Sequence, residues 1–160
     1  MTLRKPLVIV SGQIEQMKSG DTLDASVAEQ EILQLTNANM SPIVIGQAVY
    51  VQGNDSVDLA IATSSGTTFA VGLVYDASIS SSAPGSILTS GVLSATTTQW
   101  DAVAGTSGGL TAGTVYFLDV STPGHLTSSA PTTVGQYVVV IGTAISTTEL
   151  KLNIERPILL

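Results

Sequence analysis

Few residues of this chain could carry out acid–base or nucleophilic chemistry, and their spacing does not bring them together. The single histidine, His125, directly follows the turn signal Pro123-Gly124, and cysteine is absent. Serines are so abundant that a match of His125 to a Ser-His-Asp triad is uninformative. The chain has no Gly-x-Ser-x-Gly elbow, no phosphate-binding loop with its lysine and no His-rich metal motif. We therefore interpret His125 as an exposed turn residue and predict that the protein is not an enzyme.

The carboxylates make a slightly better case for a binding site. Asp55 and Asp58 closely follow Asn54, and carboxylate and amide oxygens in one loop can hold calcium. The cluster has few ligands and lacks EF-hand spacing, so a plain turn in which Asn54 and Asp55 bond to their own backbone is favoured. Calcium binding at Asp55 and Asp58 stays open as the alternative. No required metal and no cofactor are predicted.

The distribution of charge is unusual. All five basic residues lie near the ends, and the long stretch between Lys18 and Lys151 has none, while the net charge is -7. Charged residues make up 11% of the chain, against about a quarter in ordinary proteins. Nucleic-acid binding needs a clustered basic surface, so it is disfavoured. A surface rich in hydroxyls suits a shell or fibre component that spends much of its surface on neighbours.

The apolar content is sufficient for a core but not for a membrane span. Hydrophobic residues make up 44% of the chain, yet no apolar run approaches the ~18 residues that a spanning helix needs. Arg4 and Lys5 imitate the start of a signal peptide, but the apolar run after them is too short. No membrane partner is predicted.

Residues 1–24 differ in composition from the rest and are predicted to form an extended N-terminal arm. Pro6 favours an extended entry, Leu7–Val10 is apolar and rich in β-branched residues, and Gly12 permits a turn. These apolar side chains need a partner, either in their own domain or in another subunit. The alternative is an ordinary first strand of the domain. The predicted partner-binding residues are Arg4, Lys5, Leu7, Val8, Ile9, Val10 and Lys18.

Residues 25–160 are predicted to form an all-β domain, either a small β-barrel or a β-sandwich. Short β-rich runs recur about every ten residues, and turn signals such as Pro84-Gly85 separate them. Residues 26–35 fit one or two helical turns or a strand, and both interpretations are open. Further strands are predicted at 115–120, 134–143 and 150–154.

One short helix is predicted around the only tryptophan. Thr97-Thr98 can cap its start and Gly105 can end it. A lone tryptophan in an aromatic-poor chain is usually a core anchor. Trp100 is therefore expected to pack against the strand that carries Tyr116 rather than to bind a ligand.

A weak internal repeat predicts two similar β-motifs, with sub-motifs at 40–95 and 96–160. Gly46 opens a strand in the first copy as Gly113 does in the second. Val71-Gly72-Leu73-Val74 then corresponds to Ile141-Gly142-Thr143-Ala144. Coincidence in a sequence of low complexity is the alternative.

Two stretches carry a resemblance to a known group of proteins. They are Thr98-Gln99-Trp100-Asp101 with Gly108-Gly109-Leu110-Thr111, Pro123-Gly124-His125 and Gly135-Gln136-Tyr137, and, near the N-terminus, Pro6-Leu7-Val8-Ile9-Val10-Ser11-Gly12 with Gly20-Asp21-Thr22-Leu23. Together they cover about half of the chain. The first resembles a β-module of tailed-bacteriophage virion proteins, which include tail-fibre and head-decoration proteins, and the second resembles the opening of fibre-type proteins.

The resemblance implies a structural function and no catalytic or ligand site. We expect a capsid decoration (cement) protein of the virion, assembled in the bacterial host cytoplasm, that binds the major capsid protein or other virion proteins. A homo-oligomer is expected, with a trimer as the first choice. The alternatives are a short head or tail fibre, or a module that binds host carbohydrate. Aromatics exposed in a groove would favour the carbohydrate-binding module, whereas buried ones would favour the structural function.

Overall fold

The computed structural model describes residues 7–10, 13–16 and 30–160, and strands dominate this part of the chain. A single eight-residue helix, α1, interrupts the strands among residues 30–160. The elements in chain order are β1 Leu7–Val10, β2 Gln13–Gln16, β3 Glu31–Asn37, β4 Ile43–Val44, β5 Ala48–Gly53, β6 Ser56–Leu59, β7 Ala70–Val74, β8 Ser78–Ile79, β9 Pro84–Ser90, β10 Val92–Ser94, α1 Thr97–Ala104, β11 Val115–Leu118, β12 Leu126–Thr127, β13 Tyr137–Val138, β14 Val140–Ala144, β15 Glu149–Leu152 and β16 Ile158–Leu159.

The first motif, from β3 to β9, is a closed five-stranded barrel in the order β3-β6-β5-β7-β9. Its strands alternate inward and outward side chains, as a strand must when only one face meets the core. The parallel pairing of β3 with β6 closes the barrel, and the other pairs are antiparallel. Six buried aliphatic residues fill the interior: Ile43, Val49, Val57, Val74, Ile79 and Ile87.

The second motif, from β10 to β15, repeats this strand order without closing. Its sheet runs β10-β15-β14-β11-β12, so that β12, β11, β14, β15 and β10 take the places of β6, β5, β7, β9 and β3. Every neighbouring pair is antiparallel, as are the four corresponding pairs of the barrel. No pairing joins β10 to β12. The two motifs therefore share one topology, and the predicted internal similarity is confirmed.

A bulge recurs at the same point of each motif. In the first, Val49 pairs with Gly72 and the next residue pairs with Ala70. In the second, Tyr116 pairs with Gly142 and the next residue pairs with Val140. A Cβ on Gly72 would collide with the backbone carbonyl of Leu88 on β9, and a Cβ on Gly142 with that of Lys151 on β15. Glycine is required at both positions because the neighbouring backbone comes so close.

The second motif uses the outer wall of the barrel to complete its own core. Ala48, Leu73 and Leu88 point outward from the barrel and are fully buried in one cluster with Trp100 and Tyr116. Backbone bonds reinforce this contact: Gly124 donates to Ala60 O (2.7 Å) and accepts from Ala48 N (2.8 Å). The two motifs thus share a continuous hydrophobic core.

The capping residues of helix α1 determine where it begins and ends, and the helix positions Trp100. Thr96 and Gln99 form a capping box, in which the Thr96 hydroxyl accepts from Gln99 N and the Gln99 side chain accepts from Thr96 N. Gly105, in the left-handed conformation, ends the helix as predicted. The cap therefore lies one residue before the expected Thr97-Thr98. Trp100 is completely buried, which confirms its predicted role as a packing residue.

The predicted fold class is confirmed, one open alternative is decided and two details are corrected. Of the two interpretations left open for residues 26–35, the strand is found for the part from residue 31 on, because Glu31 to Thr36 pair with β9. Pro84-Gly85 begins β9 instead of forming a turn, and the turn falls earlier, at Ser82, where φ is +59°. The strand expected over 134–143 is split. Val134-Gly135 forms a turn, and the residues after it form two separate strands, β13 and β14. The division into an arm at 1–24 and a domain at 25–160, with sub-motif limits at 40–95 and 96–160, stays a prediction.

Candidate functional site

The residues predicted to bind a partner lie in the N-terminal segment. Leu7, Val8, Ile9 and Val10 form β1, which pairs antiparallel with β2 in the register Leu7↔Gln16 to Val10↔Gln13. Arg4, Lys5 and Lys18 lie outside the described residues. β1 and β2 form a two-stranded sheet of their own. The hairpin therefore adds no strand to either motif.

His125 lies where the β11–β12 connection meets the barrel. Its backbone N–H donates to Thr122 O (3.2 Å), and its carbonyl accepts from Asp119 N (2.9 Å). The side chain is half-buried and not exposed as expected, because Gly124 beside it packs against the barrel at Leu59. The Asp119 carboxylate accepts from the backbone N–H groups of Val120 and Thr122. Asp119, the acidic residue nearest to His125 in the sequence, thus uses its carboxylate to order this loop.

Asp55 and Asp58 do not converge on a shared site. Asp55 is exposed in the two-residue turn between β5 and β6, with φ +51°. Asp58 lies in β6, where its Oδ1 accepts from Asn39 Nδ2 (2.7 Å) and from Leu59 N (2.7 Å). A turn at Asn54 and Asp55 is confirmed, and the bonds of the two side chains to their own backbone stay a prediction. Within the described residues, no three His, Cys, Asp or Glu side chains are grouped so that they could hold a metal ion.

The most heavily hydrogen-bonded carboxylate, Asp101, was not singled out from the sequence. It accepts from Gly109 N (2.8 Å), Gly108 N (3.0 Å) and the Thr106 hydroxyl (2.9 Å). These bonds, that from Gly109 foremost, lower the pKa of Asp101 below its ordinary 3.8, although partial burial opposes them. Asp101 fastens the loop after α1 to the helix. The Asp-x₆-Gly-Gly spacing was the available signal.

Two shallow grooves open on the described surface. One, of about 260 Å³, lies beside β10 and is lined by Gln30, Val92, Ser94, Glu149 and Lys151 among others. The other, of about 280 Å³, lies between α1 and β4 and is mostly apolar. Histidine lines neither groove. The first groove offers one carboxylate and one ammonium group but no paired nucleophile and base.

The aromatic side chains avoid both grooves. Trp100 and Tyr116 are buried, and Trp100 Nε1 donates to Thr148 O (2.9 Å). Phe69 is 59% exposed but lines neither groove. Tyr50 is half-buried and also lines neither groove. Its burial raises the pKa of its hydroxyl, and the negative charge of Asp58 raises that pKa further. A sugar-binding groove usually stacks its ligand on aromatic rings, and these two grooves have none to offer.

The most exposed apolar element is the two-stranded sheet of β13 and β16, together with the turn that precedes β13. Val134, Ile158 and Leu159 here are 87%, 60% and 59% exposed. Sequence reasoning missed this element, which we call the β13–β16 ribbon. The run Pro157-Ile158-Leu159-Leu160, in which no polar residue alternates with the apolar ones, was the signal that could have identified it.

Comparison with protein families and with curated proteins identifies no relative of this chain. No protein-family model matches the chain, and no curated protein matches it. In the described part of the chain, no helix has the length and apolar character to cross a membrane.

Proposed function

We propose that this protein is a structural component of a tailed-bacteriophage virion, and specifically a capsid decoration protein. In this proposal it binds the outer face of the head, through the major capsid protein or other virion proteins, by its N-terminal arm and its β-domain. It assembles onto heads in the host cytoplasm and acts as a trimer. It performs no catalysis and needs no cofactor.

The observation that carries the proposal is the separate N-terminal hairpin. β1 is made wholly of Leu, Val and Ile, and its only strand partner among the described residues is β2. Three of the five basic residues of the chain flank this hairpin. An apolar strand with basic flanks can provide both packing and charge for a protein surface. Many copies on a lattice then need only modest affinity each.

The structure of residues 30–160 is better suited to a structural scaffold than to a module that binds sugars. Trp100 and one of the four tyrosines, Tyr116, are the largest of its fully buried side chains. The two similar motifs share their core, which favours a rigid unit. The alternative functions, a short head or tail fibre and a carbohydrate-binding module, have no comparable observation in their favour.

Cosedimentation with virus heads tests the proposal. Full-length protein is mixed with empty, undecorated heads of the phage that encodes it, and the bound fraction is measured. We expect saturable binding, and we expect deletion of residues 1–20 to abolish it while circular dichroism still shows a folded β-domain. Full binding by the truncated protein would refute the role of the arm. No binding by the intact protein would refute decoration of the head.

A charge-matched control separates the arm from general electrostatics. The double variant R4A/K5A removes two positive charges from the arm, and Lys151→Glu lowers the net charge by the same amount at an exposed residue outside the arm. We expect the arm variant to weaken head binding by at least about tenfold, and Lys151→Glu to weaken it much less. Equal losses would show that net charge, and not the arm, governs the interaction.

A further inference from the structure

The β13–β16 ribbon has apolar side chains on two faces. Tyr137 pairs with Leu159, and Val138 pairs with Ile158. Neighbouring residues of a strand point to opposite faces, so Ile158 and Leu159 occupy different faces, yet each is more than half exposed. The described part of the chain therefore leaves more than half of each of them uncovered.

The outer edge of the ribbon is also open. Leu160 donates to Gln136 O and accepts from Gly135 N, both at 3.0 Å. In an antiparallel pair, alternate residues direct their backbone groups to opposite sides, so the N–H and C=O of Leu159 point away from β13. Exposed apolar edges of this kind associate unless they are blunted by charge or covered.

The exposed apolar side chains of the ribbon are relevant to association. Val134, Ile158 and Leu159 are each more than half exposed, and Ile158 and Leu159 make both faces of the ribbon apolar. A stable interface buries about 800 Å² on each partner. The ribbon with its polar surroundings therefore provides a suitable centre for a contact between two chains.

The distribution of charge makes the ribbon a place where a second copy can dock. Each chain carries a net charge of -7, so most surfaces of two copies repel one another. In the part of the chain that the structure describes, the basic residues are Lys151 and Arg156, and Arg156 lies two residues before β16. Glu155 beside it gives the segment both signs. In a ring of copies, Arg156 of one chain can face Glu155 of the next chain.

We propose that the β13–β16 ribbon is the surface through which copies of this chain associate. This inference rests on the proposed function and deepens it, because it names the contact that holds the oligomer together. The ribbon of each copy packs its Ile158 and Leu159 side chains against a neighbouring copy, and Val134 lies at the rim of the contact.

Sedimentation velocity on the full chain tests the surface. We expect the wild-type protein to have a mass of two or more chains at micromolar concentration. Leu159→Glu should weaken this association by at least about tenfold, because it places a charge in the contact. The matched control is Val51→Glu, because Val51 is 53% exposed on β5 and lies outside the ribbon. It should leave the mass unchanged.

Each outcome decides for or against the ribbon. A monomeric wild type, or an oligomer that Leu159→Glu leaves intact, overturns the inference, and so does equal loss with Val51→Glu. Emission of the buried Trp100 verifies that each variant is folded. Arg156→Glu should also weaken association, whereas Arg156→Lys should preserve it. The failure of the proposed function would appear instead as a wild-type oligomer that does not bind heads.

Discussion

The same strand order gives a closed barrel in one half of the molecule and an open sheet in the other. One matched position differs greatly in the size of its side chain. Val49 points into the barrel, and the register places Tyr116 at the corresponding point of the second motif. A tyrosine is too large for the interior of a five-stranded barrel that six aliphatic residues already fill. The comparison teaches that the same strand order is compatible with a closed barrel around small aliphatic residues and with an open sheet around a larger core.

The two motifs also cover their ends in different ways. In the barrel, the short β4–β8 pair brings Ile43 and Ile79 into the interior. In the second motif, helix α1 lies between β10 and β11 in the chain, contacts β12 and contributes Trp100. The open motif thus depends on its helix and on the wall of the barrel. It should be unable to fold apart from the first motif.

Removal of the Trp100 side chain should have the largest effect on stability. Trp100 is fully buried, and its ring packs so closely on Gly46 of the first motif that a Cβ there would lie 3.0 Å from Cζ3. Trp100→Ala should lower the free energy of unfolding by about 3–5 kcal/mol, the usual cost of truncating a buried tryptophan. Urea denaturation followed by circular dichroism measures this, since the variant has no tryptophan fluorescence.

A surface aromatic residue serves as the control for this prediction. Phe69→Ala removes a ring that is 59% exposed, and it should change stability by less than about 0.5 kcal/mol. Similar losses for the two variants would show that Trp100 does not anchor the open motif. A second unfolding transition in Trp100→Ala would show that the motifs can separate, which would break the comparison drawn above.

The success of the sequence analysis differed between local and long-range features. The helix around Trp100 was predictable because a hydroxyl cap and Gly105 are local signals. The repeat was predictable because Gly72 and Gly142 are both dictated by the approach of a neighbouring strand. Closure was not predictable, because the parallel β3–β6 pairing joins strands about twenty residues apart in the chain and depends on the total volume of the core. The ribbon was missed because β13 and β16 are only two residues long each.

Alanine at the two matched glycines tests whether the closed motif is the more rigid one. A Cβ at Gly72 would meet the Leu88 carbonyl oxygen and the Ile87 side chain, and a Cβ at Gly142 would meet the Lys151 carbonyl oxygen. Overpacking of this kind costs about 1–3 kcal/mol. We expect Gly72→Ala to be the more costly, because β9 is held in a closed ring. Beyond β15 lies only the edge strand β10, so the open sheet can yield. Thermal unfolding of both variants measures the difference.

Gly66 provides the control, because no atom outside its chain neighbours lies within 4 Å of a Cβ there and its φ is not in the left-handed range. Gly66→Ala should be neutral or slightly stabilising, since it restricts the unfolded chain. A greater loss for Gly142→Ala than for Gly72→Ala would contradict the view that the open sheet is the more compliant motif.

The smallest effect is expected at Asp101, whose network has no counterpart in the barrel. Its carboxylate holds Thr106, Gly108 and Gly109 after the helix of the open motif, and its pKa in the folded protein is lowered below 3.8. Because the folded-state pKa is the lower one, the stabilisation is present above the ordinary value and is lost as pH falls through the folded pKa. Asp101→Asn should therefore melt below the wild type at neutral pH, and this gap should shrink in acid.

Melting curves at neutral and at strongly acidic pH measure this gap, with Asp55→Asn as the control. Asp55 is exposed at φ +51°, a conformation that asparagine tolerates, so this variant should follow the wild type at both pH values. The reason for the difference is geometric, because an asparagine at position 101 presents one acceptor oxygen and an NH₂ group to donors that a carboxylate satisfies with two oxygens. A gap for Asp101→Asn that stays constant with pH would mean that the side chain acts through packing. The loop that follows the helix would then be held by packing contacts and not by the charge of Asp101.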